Sequence, residues 1–281
     1  MLKKDIPASL LLILFLSGFG LSSHVAAQAK ETPPGESPAT TSDQPQLDQE
    51  EESGISFKSF HRDLGRNFLG LFSRESVLPF STGVLGTGVS LELDDNLHDY
   101  FRNVDDLGQE RRRFPALGDV GEVLANRWFL LAGTGSLILA AHSTSNDRFQ
   151  DMTYAWTQGY VLNNLLTEVL KQGVRRQRPN GQNSRSFSSG HAANAFTFAT
   201  IMNHYYGPKA GIPAYSVAGL VAVSRMEKNV HYLSDVVMGA TLGYIVGRTV
   251  LRGSDRRRRV SWIPITPPGG EGVGLMVSAR F

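Results

Sequence analysis

The sequence predicts an all-α fold, a bundle of helices that ends in a short C-terminal β-hairpin. Two patterns support this prediction. Long stretches in the middle of the chain repeat apolar residues at helical spacing, and after Arg259 the pattern changes to two short strand-like runs. The 281 residues include no cysteine, so the stability of the chain has to come from packing and not from disulfides.

Residues 1–29 have the layout of a secretory signal peptide. Two lysines precede an apolar run from Ala8 to Phe19, and the small residues Ala27 and Ala29 suit cleavage. The alternative is an uncleaved membrane anchor, for which the apolar run is short. Both interpretations predict an exported protein that is periplasmic or associated with the envelope.

Residues 30–53 are predicted to be a disordered acidic tether. They are rich in Pro, Ser, Thr and acidic residues, and Leu47 is their single large aliphatic residue, so burial cannot offset the entropy of ordering. The formal net charge of +2 conceals an uneven distribution of charge. This segment is acidic, whereas two other runs, Arg111–Arg113 and Arg256–Arg259, are basic. Such runs are typical of solvated faces, and the alternative is peripheral contact with an anionic membrane surface. No nucleic-acid partner is predicted.

The helical domain is predicted to span residues 54–253. It opens with an amphipathic helix whose apolar positions are Phe57, Phe60, Leu64, Phe68 and Leu71. This helix suits packing on its own domain, and a bilayer interface is the alternative. Six further helices are predicted at Pro79–Leu93, Val120–Ala141, Asp147–Gln172, His191–Tyr206, Ile212–Met226 and Ser234–Leu251.

The charge topology favours helices that do not span a membrane. If all six spanned it after an exported start, Lys171 would lie inside and Arg256–Arg259 outside, against the positive-inside preference. In the last helix, Gly239, Gly243 and Gly247 recur every four residues and allow another helix to approach closely.

Residues 254–281 are predicted to be a basic segment followed by the hairpin. The runs VSWIPIT and VGLMVSARF are separated by Pro267-Pro268-Gly269-Gly270, which is a turn signal. The hairpin is predicted to be an ordinary appendage of the bundle.

Three motifs in the second half of the chain carry chemistry, and the first is KQGVRRQRP. On a helix, Lys171 and Arg178 lie seven residues apart and leave the same face, together with Arg175. Pro179 disfavours helical geometry at Arg178 and so predicts that its guanidinium lies at a helix end or in a loop, where it can bind two phosphate oxygens. The alternative is a solvated basic helix end.

The second motif, Ser188-Ser189-Gly190-His191, lies between a polar loop and an Ala-rich helix. It is predicted to form a helix N-terminus with free backbone amides, which bind anions. Ser189 can donate its hydroxyl, Gly190 lets the backbone approach an oxyanion, and His191 can act as an acid. The alternative is a helix cap with a surface histidine.

The third motif is SRMEKNVHYLSD, in which a helix ends near Met226 and Ser234 caps the next helix. His231 and Asp235 can then meet, and a carboxylate on one ring nitrogen leaves the other nitrogen free to attack phosphorus. The alternatives are a buried polar contact or a metal pair. Because no third ligand stands at a suitable spacing, no metal site is predicted.

Together, KQGVRRQRP, SSGH and SRMEKNVHYLSD resemble the three signatures of the type 2 phosphatidic acid phosphatase family, which is related to class A acid phosphatases and vanadium haloperoxidases. The resemblance covers Lys171–Asp235 and extends loosely over residues 75–251. It implies a helical bundle of the acid phosphatase/haloperoxidase type and a phosphatase without metal or cofactor. Ser188 replaces the family's usual proline, and the loop that precedes it is shorter than in most members, which leaves substrate preference open.

The resemblance also implies a role for each motif residue. His231 would become the phosphohistidine, His191 would protonate the leaving oxygen, and Asp235 would support His231. The phosphate oxygens would be held by Lys171, Arg178, Ser189, Gly190 and Arg225.

The predicted function is therefore that of an exported phosphatase for phosphomonoesters or lipid phosphates. Tetrahedral vanadate fits the same cations, so a vanadate-dependent haloperoxidase is one alternative. A non-enzymatic envelope scaffold is the other, although a complete set of charged and imidazole groups argues against it. A lipid head group and a soluble phosphomonoester both remain open as substrates.

Overall fold

The computed structural model describes residues 59–104, 110–265 and 274–279. The predicted signal peptide and tether lie outside these described residues. The helices are α1 (Phe60–Gly70), α2 (Arg74–Leu91), α3 (Asp94–Phe101), α4 (Pro115–Ala125), α5 (Arg127–His142), α6 (Asp147–Val174), α7 (Gly190–Tyr206), α8 (Pro208–Glu227) and α9 (Leu233–Arg259). The strands are β1 (Arg102–Val104), β2 (Glu110–Arg112), β3 (Val260–Ile265) and β4 (Gly274–Ala279). Helices build the core, so the predicted all-α class is confirmed.

The main core lies among α6, α7 and α9. Leu162, Ile201 and Val246 are fully buried there, and each contributes about 1.5–3 kcal/mol relative to an exposed side chain. Trp156 is nearly buried as well, and its indole Nε1 donates a hydrogen bond to Thr134 Oγ1 of α5 at 2.9 Å. This core fixes the relative positions of the helices that carry the three motifs.

The glycines of α9 allow it to approach α7 closely, and this prediction is confirmed. A Cβ atom at Gly239 would lie 2.4 Å from the carbonyl oxygen of Ser189, and one at Gly243 would lie 2.3 Å from that of Ala193. Any side chain at either position would therefore push the two helices apart. The close approach brings the start of α9 against the start of α7.

The predicted helix Val120–Ala141 is two helices. Asn126 adopts an extended conformation between α4 and α5, and its side-chain Oδ1 accepts a hydrogen bond from Trp128 N at 2.8 Å. This N-cap starts a new helix and breaks the apparent continuity of the apolar pattern. A single apolar run therefore conceals a bend.

Three further features differ from the sequence prediction. Helix α3 and the β1–β2 pair were not predicted, and α9 continues to Arg259, past the predicted end at Leu251. Arg252 Nη2 contacts the hydroxyls of Ser73 and Ser76 at 3.3 Å each, which holds the added turns against the start of α2. This tertiary contact extends the helix beyond what its own pattern indicates.

Helix α2 turns small and hydroxyl side chains towards the protein and large apolar side chains outward. Its buried residues are Ser76, Gly83, Thr87 and Ser90. Leu78 and Leu85, in contrast, are 72% and 71% exposed. Water-exposed helices show the opposite arrangement, whereas small residues at helix contacts are typical of helices surrounded by lipid.

Length and composition single out one candidate for membrane crossing among the described helices. No single helix meets both criteria, and the pair Pro115–Leu124 with Arg127–His142, bent by 42°, meets them only when taken together.

Ion pairs hold the C-terminal end of α8 against α4 and β2. The guanidinium of Arg112 donates to both carboxylate oxygens of the fully buried Glu227, with Nε 3.0 Å from Oε1 and Nη2 2.9 Å from Oε2. Arg113 stacks on the ring of Tyr100, with 4.2 Å between Cζ and the ring centroid. The prediction that Arg111–Arg113 forms a solvated or lipid-facing basic run is therefore wrong for Arg112, whereas Arg113 is exposed as predicted.

Strands β3 and β4 pair in antiparallel register, from Val260 opposite Ala279 to Ile265 opposite Gly274. The predicted turn at residues 267–270 lies outside the described residues, so the hairpin as a unit stays a prediction.

Candidate active site

The three motifs meet where α6 and α8 end and where α7 and α9 begin. Residues 175–189 connect α6 to α7, and residues 228–232 connect α8 to α9. The two connections touch, because Asn180 N donates to Asn229 O at 3.2 Å and Ser189 N donates to Asp235 O at 3.0 Å. Groups that are distant in sequence are thereby gathered around one short stretch of backbone.

Lys171 lies on α6, but Arg178 does not. The helix ends at Val174, and Arg175 takes the left-handed conformation with φ of 51°. The prediction that Lys171, Arg175 and Arg178 share one helical face is therefore wrong, whereas the loop position predicted for Arg178 is confirmed. A hydrogen bond from Arg178 N to Asn183 O, 2.9 Å long, turns the loop back towards the helix.

Helix α7 starts at Gly190, with Ser189 as its N-cap. The Ser189 Oγ accepts a hydrogen bond from Ala192 N at 3.4 Å, and the residue is fully buried. A Cβ atom at Gly190 would lie 3.5 Å from Lys171 Nζ and 3.3 Å from Thr167 Oγ1, so the ammonium group stands beside the helix start. Backbone N–H groups in the first turn of a helix attract anions, and the lysine adds a full positive charge at the same point.

His231 and Asp235 are adjacent and buried. His231 is 3% exposed, and its Nδ1 lies 3.7 Å from Asp235 Oδ2, which is ion-pair distance and longer than a hydrogen bond. The backbone N–H of His231 donates to Arg225 O at 3.3 Å, which ties the histidine to the end of α8. With Nδ1 towards the carboxylate, the Nε2 atom is the one left for a substrate.

The Asp235 carboxylate has several donors around it that the sequence did not indicate. Its Oδ2 accepts from Ser186 Oγ at 2.5 Å and from Tyr232 N at 2.9 Å, while its Oδ1 accepts from Arg176 Nη1 at 2.9 Å. Buried carboxylates are stable when they are paired and hydrogen-bonded in this way. The arrangement fixes the orientation of Asp235 before any substrate binds.

Arg176 connects Asp235 to the unpredicted helix α3. Its Nη2 donates to Asp94 Oδ2 at 2.8 Å, and Asp94 also accepts from Ser234 N and Ser234 Oγ at 2.9 and 2.6 Å. The guanidinium lies 4.0 Å from the centroid of the Tyr232 ring, a cation–π contact. Arg176 is thus the centre of a network behind the histidine.

Sequence reasoning missed Arg176, Ser186 and Asp94 for separate reasons. Helical spacing from Lys171 singled out Arg175, but the helix ends before that spacing applies. Asp94 lies 140 residues before Ser234 along the chain, and no pattern connects the two. The position of Arg176 between Lys171 and Arg178 was the available signal, once a helix end near residue 174 is assumed.

The electrostatics of the site follow from burial and from the cations' proximity to one another. Burial lowers the pKa of Arg225, and Arg178 adds to the effect. Burial, with Arg225 as the largest charged contributor, lowers the pKa of His191 to about 3. Burial also lowers the pKa of His231, although Asp235 opposes the change. Both imidazoles are therefore neutral near pH 7 in the free protein.

Asp235 stays ionised in spite of its burial. Burial alone would raise the pKa of its carboxyl, but the adjacent His231, the Ser186 hydroxyl and the Tyr232 amide together hold the pKa below its usual value. An ionised carboxylate can favour the Nδ1–H tautomer of His231 and stabilise a positive charge that develops on its ring.

Several buried polar atoms at the site have no hydrogen-bond partner among the described residues. They include Arg178 Nε, Arg225 Nε and Ser188 Oγ. Leaving buried donors unsatisfied is unfavourable by about 1–3 kcal/mol each. An oxyanion with several oxygens can accept from such donors and is also attracted by the charges of Lys171, Arg178 and Arg225.

Comparison with known proteins places these motifs in a family. The PAP2 superfamily matches residues 156–259, which include most of α6 and all of α7, α8 and α9. The chain is 36% identical over 92 residues to the lipid A 1-phosphatase of Porphyromonas gingivalis, covering 32% of this chain and 21% of that protein. It is 31% identical over 133 residues to the decaprenylphosphoryl-5-phosphoribose phosphatase of Mycobacterium tuberculosis, covering 44% of this chain and 69% of that protein.

Among solved structures, the crystal structure of Aquifex aeolicus LpxE superposes on this chain with a TM-score of 0.45 and 22% sequence identity, covering 58% of this chain and 94% of that chain. The chain thus spans about a fifth of the length of the P. gingivalis relative and more than two thirds of the length of the M. tuberculosis relative. On the match to residues 156–259 and the identity to the M. tuberculosis protein, the chain belongs to the PAP2 superfamily.

Proposed function

We propose that this protein is an exported phosphatase that hydrolyses phosphate esters, among them lipid phosphates, through a phosphohistidine on His231 and without a metal ion. One observation carries the proposal. His231 is buried beside the ionised carboxylate of Asp235. It lies among cations that also act on His191, and burial together with these charges lowers the pKa of His191 to about 3. Strong positive potential around a neutral nucleophile suits attack on a doubly negative phosphate.

In the first step, His231 Nε2 attacks phosphorus and forms an N–P bond while the P–O ester bond breaks. The leaving oxygen takes a proton from His191. Lys171, Arg178 and Arg225 neutralise the charge on the remaining phosphate oxygens, with Ser189 Oγ and the backbone N–H of Gly190 as further donors. Asp235 stabilises the positive charge that develops on the His231 ring.

In the second step, water attacks the phosphohistidine. His191, now neutral, removes a proton from the water as the O–P bond forms and the N–P bond breaks. Inorganic phosphate leaves, and both histidines return to their starting states. The low pKa of His191 in the free protein suits its role as a base here, and the two negative charges of a bound phosphate raise that pKa for the acid step.

The membrane is the proposed location of the substrate. The names of both relatives denote phosphatases, one of them for lipid A. The outward apolar face of α2 favours contact with lipid. It does not support the prediction, made from the charge topology, that the helices lie outside the bilayer. The signal peptide and the C-terminal hairpin belong to this proposal as predictions.

The test is phosphate release by the full chain in detergent and EDTA, from p-nitrophenyl phosphate and from dispersed phosphatidic acid. We expect release from at least one substrate and a loss of more than about a thousandfold in His231→Ala. The control is His61→Ala, which removes an exposed histidine of α1.

Retained turnover in a folded His231→Ala variant would refute the histidine mechanism, and loss of turnover in EDTA alone would refute metal independence. The intermediate can be sought directly by mixing the enzyme with radiolabelled substrate and quenching the reaction in an alkaline denaturant. A phosphorylated protein whose label is lost in acid and stable in alkali is expected in the native chain and not in His231→Ala.

A further inference from the structure

An ion pair stands at the rim of the candidate site. Arg185 Nη2 lies 2.6 Å from Glu168 Oε1 and 2.5 Å from Glu168 Oε2. The side chain of Arg185 is 50% exposed and that of Glu168 is 41% exposed, so solvent reaches both partners. Exposed ion pairs of this kind are weak, and either partner can be exchanged for another ion.

The backbone of Arg185 is held in place although its side chain is exposed. Its N–H donates to Asn183 Oδ1 at 3.1 Å, and Asn183 O accepts from Arg178 N at 2.9 Å. The next residue, Ser186, donates its hydroxyl to Asp235 at 2.5 Å. Arg185 is thus anchored between a phosphate-binding arginine on one side and the carboxylate behind His231 on the other.

Glu168 has a second partner that can hold it when Arg185 leaves. Gln172 Nε2 donates to Glu168 Oε1 at 2.9 Å, one helical turn further along α6. Glu168 also lies one turn before Lys171, so its carboxylate stands beside the phosphate pocket. Arg185 is close enough to the pocket to contribute to lowering the pKa values of both Lys171 and Arg178.

We propose that Arg185 is a second anion subsite: it exchanges Glu168 for an oxyanion on the leaving-group side of the substrate, such as a second phosphate. This inference rests on the proposed phosphatase function and names its substrate class. The phosphate to be cleaved binds Lys171, Arg178 and Arg225, and the second anionic group binds Arg185 at the rim. A guanidinium has the planar geometry that matches phosphate oxygens.

The test compares two soluble substrates that differ only in a second phosphate group, propyl phosphate and propane-1,3-diyl bisphosphate. In the wild-type chain we expect a KM about tenfold lower for the bisphosphate. Arg185→Gln should remove that advantage and leave kcat/KM for propyl phosphate within about twofold of wild type. Glu168→Gln should lower the KM for the bisphosphate, because it frees Arg185 and removes a negative charge.

A matched control is Arg66→Gln. Arg66 is also an exposed arginine paired with a carboxylate, with Nη2 2.8 Å from Asp63 Oδ1, but it lies on α1. Arg66→Gln should leave the KM values for both soluble substrates unchanged.

A second pair of substrates, phosphatidic acid and diacylglycerol diphosphate in mixed micelles, separates the two sources of the second phosphate. Dependence on Arg185 in the lipid pair alone would assign the subsite to lipid head groups, and dependence in both pairs would assign it to the phosphate itself.

The outcomes separate this inference from the function on which it rests. Equal losses on both soluble substrates in Arg185→Gln, or no loss on the bisphosphate and the diphosphate, would overturn the subsite and leave the phosphatase intact. If the wild-type chain hydrolyses none of the substrates, the proposed function fails. Calorimetric binding then decides the subsite: binding of the bisphosphate that weakens about tenfold in Arg185→Gln supports it, and unchanged binding overturns it.

Discussion

At the scale of single residues, the candidate site depends on groups to which the three motifs assigned no role. Asp235 is fully buried, and its carboxylate is stabilised by Ser186, by the Tyr232 amide and by Arg176. A buried charge that loses its partner is strongly unfavourable. The orientation of His231 therefore depends on residues that the sequence analysis did not single out.

Replacing Arg176 tests the network behind Asp235. Arg176→Gln leaves Asp94 and Asp235 as two buried carboxylates without their shared cation, so we expect a loss of about 3 kcal/mol in the free energy of unfolding. We also expect kcat to fall at least about tenfold with a smaller change in KM, because Arg176 contacts Asp235 and not the proposed phosphate position. Denaturant unfolding and steady-state kinetics measure the two effects.

The control is the neighbouring Arg175→Gln, since Arg175 is exposed and its Nε donates to a backbone carbonyl, that of Gln172. This variant should keep both stability and kcat. If Arg175→Gln and Arg176→Gln behave alike, the network behind Asp235 does not support catalysis.

The sequence named the motif residues but not their neighbours. Lys171, Arg178, Gly190 and the rest were chosen because their types and order match a known pattern, and their roles stay predictions. Choosing Arg176 over Arg175 requires knowledge of where α6 ends, and the left-handed conformation that ends it is adopted here by an arginine and not by a glycine. Nothing in the local sequence marks that change.

At the scale of elements, the contact between α7 and α9 positions the candidate site. The starts of these helices carry His191 and Asp235, and their backbones are joined by the hydrogen bond from Ser189 N to Asp235 O, 3.0 Å long. Gly239 faces the Ser189 carbonyl at the same level. Spacing between the helices and geometry of the site are thus set by the same contact.

Gly239→Ala tests this coupling. The added methyl would lie 2.4 Å from Ser189 O, a backbone atom that cannot rotate away, so the helices must separate. We expect a loss of about 1–3 kcal/mol in the free energy of unfolding, as for other overpacked sites, and a marked loss of phosphatase turnover. Thermal unfolding and kinetics on p-nitrophenyl phosphate check both effects.

Gly133→Ala is the matched control, because a Cβ at that position of α5 meets nothing within 4 Å. It should stabilise the protein by up to about 1 kcal/mol through helix propensity. Turnover that survives in Gly239→Ala at the level of Gly133→Ala would show that the close approach is not needed for the site.

Helix periodicity predicted most elements and failed where a tertiary contact or a single cap decided the outcome. The apolar pattern passes through Asn126 without interruption. The Asn126 side chain nevertheless caps α5 and so separates α5 from α4. Helix α3 has only eight residues and escapes detection by periodicity, although its first residue, Asp94, binds Arg176. Short elements with a functional contact are the ones that a sequence pattern conceals.

At the scale of the whole molecule, burial of ionisable groups at one site affects the stability of the entire fold. His191 and His231 have pKa values lowered below the ordinary 6.5, and in both cases burial is the largest cause. In the unfolded chain these side chains are solvated and recover ordinary values. Folding therefore releases protons at any pH between the two sets of values.

This linkage determines how the stability of the fold depends on pH. Because the unfolded state binds more protons in that window, the free energy of unfolding rises with pH and falls as the pH drops below about 6.5, by up to about 1.4 kcal/mol per pH unit for each histidine. The pKa of Asp235 is also lowered, from an ordinary value of 3.8, so this carboxyl changes stability in the same sense but only at more acidic pH. The thermal midpoint should therefore fall from pH 7.5 to pH 5, measured without phosphate, because a bound anion favours the charged imidazoles.

The double variant His191→Asn and His231→Asn should flatten this dependence, since the two groups that take up protons on unfolding are gone. His61→Asn should retain it, because His61 is exposed on α1. A flat midpoint in the wild-type chain, or an unchanged slope in the double variant, would contradict the burial of two neutral imidazoles. A flattened slope would confirm that the same burial that keeps His231 neutral as a nucleophile limits the stability of the fold in acid.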